Sequence, residues 1–227
     1  MSLFDFNSVA DQYDLFYKSE YGQVMDRLEK RAVKKMLKQY GNEPAAMLEI
    51  GAGTGHWSRF FANLGFQVTG VDVADEMLER ARQKEIPNTT FQQADAHALP
   101  FEDDFFDTVS LMATLEFLED REKVWQEVKR VLKPGGQILT GDLNARSFTG
   151  RNREMDPVFG NANFYTADTL KEELSHFGEP IVRGSTYLPF GPNYLQFAAI
   201  WEYKVSQSVL DRYGNFLVGL VTNKAQN

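Results

Sequence analysis

The residues with the clearest chemical use are an acid and three glycines at alternate positions, in Leu48-Glu49-Ile50-Gly51-Ala52-Gly53-Thr54-Gly55. Glycines remove side chains, so the backbone can turn sharply and approach a ligand closely. The loop falls between an apolar run and a helical pattern, so N–H groups at the helix start would face that ligand. The spacing is G-x-G-x-G, not the G-x-G-x-x-G of dinucleotide binders, and no Gly-Lys-Ser/Thr ending marks a phosphate loop. A carboxylate such as Glu49 is a poor neighbour for a pyrophosphate and a good one for an ammonium group.

Three further signals follow in order. Asp72 stands 21 residues after Gly51, at the end of the next apolar run. An acid there can accept protons from both hydroxyls of a ribose; capping the next helix is its plainer use. Met77 either lies on an adenine face or packs in the core. In Ala94-Asp95-Ala96, Asp95 can accept from an adenine amino group while the Ala96 amide donates to a ring nitrogen; a solvated loop acid is the alternative. The fourth is the run Phe106-Asp107-Thr108-Val109-Ser110-Leu111-Met112-Ala113, whose carboxyl end would reach the same crevice.

The elements that must position these residues follow from periodicity. Ala46–Ile50, Gln67–Val71, Thr90–Gln93, Thr108–Met112 and Gln137–Thr140 read as strands. Helices fit at about 56–64, 75–84 and 121–132. Such alternation implies a parallel sheet with helices on both faces. Lys133-Pro134-Gly135-Gly136 reads as a turn launching the next strand. The first forty residues read as two helices, one with an apolar stripe of Tyr21, Met25, Leu28, Ala32, Met36 and Tyr40. Its basic residues, Arg27, Lys30, Arg31, Lys34, Lys35 and Lys38, read as a solvated face, with docking of an anionic partner as the lesser alternative. The segment 143–165 is irregular and polar. A short helix capped by Thr166 or Asp168 follows, then a strand at Ile181–Leu188, a helix at Tyr194–Arg212 and a last strand at Phe216–Val221.

Bulk composition narrows the function. The 227 residues hold no cysteine, which excludes thiolate nucleophiles and disulfides. The net charge of −8 argues against a mainly nucleic-acid surface. No stretch approaches the roughly 20 apolar residues of a membrane span. Met1-Ser2-Leu3-Phe4-Asp5 lacks the pattern of a secretory signal, so a cytoplasmic location is expected.

In sequence order, the glycine loop, Val71-Asp72, Asp95-Ala96, Leu99-Pro100-Phe101, Phe106-Asp107 and Val131-Leu132-Lys133-Pro134-Gly135-Gly136 resemble the class I S-adenosylmethionine-dependent methyltransferases. The nearest branch includes the ubiquinone/menaquinone-biosynthesis methyltransferases. The resemblance is good over 44–142 and looser elsewhere. It implies a Rossmann-like, doubly wound α/β fold with a seven-stranded, mostly parallel sheet, an antiparallel last strand and an N-terminal helical lid. One domain would span 1–227, with the lid at 1–43, the cofactor-binding core at 44–142, an acceptor-side insertion at 143–165 and C-terminal helices and strands at 166–227.

The same resemblance implies S-adenosylmethionine as cofactor, with S-adenosylhomocysteine as product. Glu49, Gly51, Gly53 and Gly55 would line its methionine end. Asp72 would hold the ribose and Asp95 and Ala96 the adenine, while Met112 and Ala113 would lie near the methionyl part; Ala52, Val73 and Met77 complete the cofactor-binding candidates. Val9-Ala10-Asp11-Gln12-Tyr13-Asp14 looks like a lid segment, in which Tyr13 would close over the methyl or else pack in the core.

The acceptor side speaks less plainly. Tyr13 and Glu116 are the catalytic candidates, Glu116 either facing the acceptor or lying on the surface. Arg146, with Arg151 and Arg153, either binds an acidic acceptor or solvates its loop. His56, His97 and His176 share no local metal-ligand spacing, so no metal is expected. His56 beside the glycine loop is a weak candidate for a base. The expected activity is methyl transfer to a small molecule; a cofactor-binding module without catalysis is the alternative. A nicotinamide-dependent reductase suffers from the wrong glycine spacing.

Overall fold

The structure is a computed structural model that describes residues 4–152, 158–160, 162–187 and 213–224. The expected helix at Tyr194–Arg212 and Arg153 lie outside the described residues.

Seven strands form one sheet: β1 (Ala46–Ile50), β2 (Gln67–Asp72), β3 (Thr89–Gln93), β4 (Phe106–Met112), β5 (Leu132–Leu143), β6 (Ile181–Ser185) and β7 (Phe216–Thr222). Their spatial order is β3-β2-β1-β4-β5-β7-β6. The first five pair in parallel, and β7 runs antiparallel to both β5 and β6. The order reverses between β1 and β4, which is where open α/β sheets leave a crevice beyond their carboxyl ends.

Alternation along the strands explains the two layers that cover the sheet. Met47 faces a cluster with Val33, Met36, Trp57 and Phe61, whereas its neighbour Leu48 faces Val124, Val128, Leu170 and Leu174. The first set comes from α2 (Glu20–Tyr40) and α3 (His56–Asn63), and the second from α5 (Arg121–Val131) and α7 (Ala167–Leu174). α4 (Asp75–Gln83) packs on β2 and β3. Both faces are thus apolar, and the central strands read as continuous apolar runs for that reason.

The chain ahead of β1 folds back over the crevice. A 3-10 turn (Phe6–Val9) leads into α1 (Ala10–Lys18), and Ser19 caps α2 by accepting from the Gly22 amide at 3.0 Å. The buried stripe of α2 is Met25, Leu28, Val33 and Met36, while Tyr40 is exposed and Ala32 only partly covered. Val33 displaces Ala32 because it points at Met47 and Phe216 in the layer below. The basic residues Arg27, Arg31, Lys34, Lys35 and Lys38 are exposed.

The Lys133-Pro134-Gly135-Gly136 turn is drawn into β5. Asn223 accepts from the Gly135 amide at 2.9 Å and donates to the Gly136 carbonyl at 2.8 Å, so these glycines gain a strand partner. The irregularity survives as a register shift opposite Phe106 and Thr108. The 143–165 segment contains one short helix, α6 (Phe148–Arg151), and a bridge between Asn144 and Tyr165. Thr166, not Asp168, caps α7, exchanging hydrogen bonds with Thr169. The strand expected to run to Leu188 ends at Ser185.

Candidate active site

The carboxyl ends of β1 to β4 open into a pocket of about 700 Å³, counting its mouth. Its wall holds Gly51, Gly53, Asp72, Val73, Met77, Asp95, Ala96, Met112 and Ala113, brought together from four strand tips. Phe6 and Tyr13 close it from the lid side, and Thr114, Phe117 and Leu118 from the turn after β4.

The glycine loop works differently from the simplest expectation. The amides of Gly51 and Ala52 both donate to the Val71 carbonyl, at 2.8 and 3.0 Å, and that of Gly55 to the Ala52 carbonyl. These groups bind the loop to β2 instead of facing a ligand. What the loop offers the pocket is bare backbone. A Cβ on Gly51 would lie 2.3 Å from Thr114 Oγ1, and Gly51 has φ +75°, a conformation that favours glycine. Gly55 faces away from the pocket; a Cβ there would meet Ile86 and Phe91. Ala52 is buried and outside the pocket wall.

Asp72 sits at the centre. Its Oδ2 accepts from the Gly53 amide at 2.8 Å and its Oδ1 from the Ala74 amide at 2.9 Å. Burial nevertheless raises its pKa above the usual carboxylate range. Each oxygen keeps lone-pair capacity for a further donor. Asp95 stands beside it with one oxygen engaged by the His97 amide and ring, at 3.0 and 2.5 Å. Partial burial would raise its pKa, but His97 holds it below the usual range. His97 also meets the Glu119 carbonyl at 2.8 Å, so it braces the adenine-side loop. A histidine two residues after an acid is too weak a signal to reveal this role from sequence.

Glu49 is sealed beneath the loop at 1% exposure, accepting from Ser58 Oγ at 2.5 Å. Burial pushes its carboxyl up to about 8. It underlies the pocket without lining it. Ala113 has φ +51°, and its amide donates to the Gly141 carbonyl at 2.6 Å, which turns the chain out of β4.

The lid is tied down at several points. Phe6 meets Phe117 edge-on at 4.9 Å, while Ala10 packs on Ala74 and Met77. Asp14 accepts from Thr54 Oγ1 at 2.7 Å and pairs with Lys84 at 2.7 Å; Asp11 pairs with Arg80. Tyr13 lines the pocket, and burial raises its hydroxyl pKa to about 12, so it stays neutral. Tyr17 stacks on His56 at 3.6 Å, and His56 Nε2 lies 2.6 Å from Asp26 and 2.8 Å from Lys30. His56 therefore belongs to the lid's anchorage and not to the pocket wall.

On the acceptor side, Glu116 lies fully buried in the turn Leu115–Phe117, not on the surface. Arg146 turns away from the pocket to pair with Asp168 at 2.9 Å. Among the described residues, no group of three or more His, Cys, Asp or Glu is arranged to hold a metal ion, and no helix is long and apolar enough to cross a membrane.

The pocket suits an adenosyl sulfonium: bare backbone at Gly51 and Gly53, an acid for ribose at Asp72, and apolar walls at Met77, Ala96 and Leu118. Comparison with known proteins agrees. A methyltransferase domain family matches residues 48–140. The chain is 32% identical over 184 residues to the ubiquinone/menaquinone biosynthesis C-methyltransferase UbiE of Pectobacterium carotovorum, covering 75% of this chain and 68% of the relative. It is 31% identical over 177 residues to an uncharacterised protein of Methanocaldococcus jannaschii, covering 76% and 80%. A Thermotoga maritima crystal structure described as a SAM-dependent methyltransferase, possible histamine N-methyltransferase, superposes with TM-score 0.70 at 25% identity, over 96% of this chain and 98% of that one. A seven-stranded sheet with one reversed strand, a side-chain-free loop at β1 and an acid at the tip of β2 thus coincide with this kinship, and the chain belongs to the class I S-adenosylmethionine-dependent methyltransferases, in their UbiE-like branch.

Proposed function

We propose that the enzyme moves the methyl group of S-adenosylmethionine to a small-molecule acceptor by in-line displacement. The observation that carries this reading is the single pocket wall shared by Gly51, Gly53, Asp72, Asp95, Met112 and the lid residue Tyr13. Asp72 takes the ribose hydroxyls, with Val73 beside it. Asp95 and the Ala96 amide read the adenine, and Met77 supports its face. Gly51, Gly53, Met112 and Ala113 enclose the methionine end. Glu49 braces the loop from below through Ser58, and Ala52 and Gly55 hold the loop's shape from behind.

When bound, the sulfonium supplies a methyl group on a good leaving group. The protein's share is alignment and exclusion of water, for which well-oriented reactions gain about 7–11 kcal/mol. Phe6, Tyr13 and Phe117 exclude water, and Asp14 and Asp11 hold the lid that carries two of them. Tyr13 lines the pocket, and Glu116, buried in the turn between the wall residues Thr114 and Phe117, is the group that would meet the acceptor. Arg146 pairs with Asp168 and does not line the pocket, so we assign it no part in binding the acceptor.

The name of the Pectobacterium relative suggests a carbon acceptor on a quinone-type ring, and that of the Thermotoga neighbour a nitrogen acceptor. Calorimetric titration with S-adenosylhomocysteine tests the cofactor half of the proposal; a folded protein that binds none refutes it. A screen of acceptors with methyl-labelled cofactor tests the other half. Binding without turnover of any acceptor would leave a cofactor-binding module instead of an enzyme.

A further inference from the structure

Beyond the cofactor pocket, the structure holds a group of acids that nothing else in the fold explains. Glu116 is fully buried, and neither of its oxygens has a hydrogen-bond partner of good geometry among the described residues. Asp142, at the carboxyl end of β5, is buried in the same condition. An isolated buried carboxylate is costly unless it is paired, neutralised or awaiting a cation. Here the local cations are engaged elsewhere. Arg121 is held by Glu173 at 3.3 Å and lies over the Tyr165 ring, and Lys30 is held by Asp26 and His56. Instead of cations, further acids and tyrosines gather round. The Glu116 charge is felt by Tyr13 and by Glu29 on α2, and that of Glu29 by Tyr17 and Tyr21. Tyr13 and Tyr17 meet edge-on at 5.9 Å. Carboxylates beside aromatic rings are the surroundings that recognise an ammonium group.

We propose that the methyl acceptor is an amine, bound as its ammonium ion by the Glu116 carboxylate on the Tyr13 side of the pocket, with the Glu29 and Asp142 carboxyls as further acceptor groups. The inference rests on the methyltransferase reading and names the acceptor class of that same site. An ammonium nitrogen has no lone pair, so it must first lose a proton, and Glu116 takes it. Burial pushes the Glu116 carboxyl up to about 7, although the amides of Glu116 and Leu143 oppose the shift, which suits a base working near neutrality. The amine nitrogen then gives its lone pair to the methyl carbon as the carbon–sulfur bond breaks. The sulfur keeps that bond's electron pair, the product leaves as the methylated ammonium ion, and the proton on Glu116 passes to solvent. Charge and atoms balance without another reactant.

The first test needs no acceptor. In the full-length protein at pH 8 without added ligand, Glu116→Gln removes a buried charge that makes no well-formed hydrogen bond, so its Tm should rise above wild type by several degrees. A fall would mean that Glu116 has a structural partner, and would overturn the proposal. The second test uses protein saturated with S-adenosylhomocysteine, probed by thermal shift with histamine, tyramine and ethanolamine against the neutral quinol menadiol. At least one amine should raise Tm, menadiol should not, and the shift should vanish in Glu116→Gln and shrink in Glu29→Gln. With labelled cofactor, the same amine should be methylated, at least 100-fold more slowly by Glu116→Gln, while the Kd for S-adenosylhomocysteine stays within twofold. No shift with any amine, or equal shifts with menadiol in wild type and variant, would overturn the amine assignment alone. Failure to bind S-adenosylhomocysteine at all would remove the methyltransferase reading, and this proposal with it.

Discussion

Asp72→Ala should weaken cofactor binding sharply, and the structure supplies the magnitude. Each oxygen of the carboxylate accepts one hydrogen bond from the fold, from the Gly53 and Ala74 amides. The remaining capacity serves two ribose hydroxyls. A hydrogen bond to a charged group contributes about 1.5–3 kcal/mol, and imperfect replacement by water returns part of the sum, so a net loss of about 2–3 kcal/mol is expected, or roughly 30–150-fold in Kd. Asp72→Asn keeps one acceptor but aims an NH2 group at a backbone N–H, so it should lose at least tenfold. The wild-type affinity should also fall on acidification. The folded carboxyl titrates above the ordinary aspartate range because it is buried, so its protonated form, uncharged and a poorer acceptor, appears at a higher pH than in a free aspartate. The Asn variant should lack this dependence. The assay is calorimetric titration of S-adenosylhomocysteine across pH, with circular dichroism to show that each variant is folded. A Kd within twofold of wild type in folded Asp72→Ala would refute the assignment.

Three further outcomes follow from the same geometry. Gly51→Ala should lower Tm far more than Gly53→Ala: both sites have positive φ, costing about 1–2 kcal/mol, but only at Gly51 does the new Cβ strike Thr114, at 2.3 Å, while Gly53 has nothing within 4 Å; equal Tm values would refute the clash. Asp14→Asn should loosen the lid by about 1 kcal/mol, seen as several-fold faster release of S-adenosylhomocysteine in stopped flow; an unchanged rate would dissociate Asp14 from closure. Glu49, its pKa raised by burial from 4.5 to about 8, holds its proton more tightly in the folded state, so stability is full at low pH and declines as pH rises through about 8; Glu49→Gln should flatten that decline in Tm-versus-pH scans, and an identical slope would place the titration elsewhere.

The sequence by itself determined the strand and helix alternation, the glycine loop and the acids at the strand tips. Those features are local: Gly51 and Asp72 each end a strand, and β1 to β4 begin or end within two residues of the expected bounds. The reversed last strand and the lid were reached through resemblance, since β7 pairing with β5 brings together residues about eighty apart, such as Leu139 and Leu220. Only the tertiary structure decided what each polar group faces. It turned Arg146 to Asp168, His56 to Asp26 and Tyr17, and His97 to Asp95, and it placed Asp14 on Thr54, 40 residues away. It also left Glu116 buried with neither carboxylate oxygen in a well-formed hydrogen bond, a condition no spacing reveals. The physical reason is that periodicity reports which face of one element is apolar, whereas a side chain's charge, hydration and partners are set by whatever other elements pack around it.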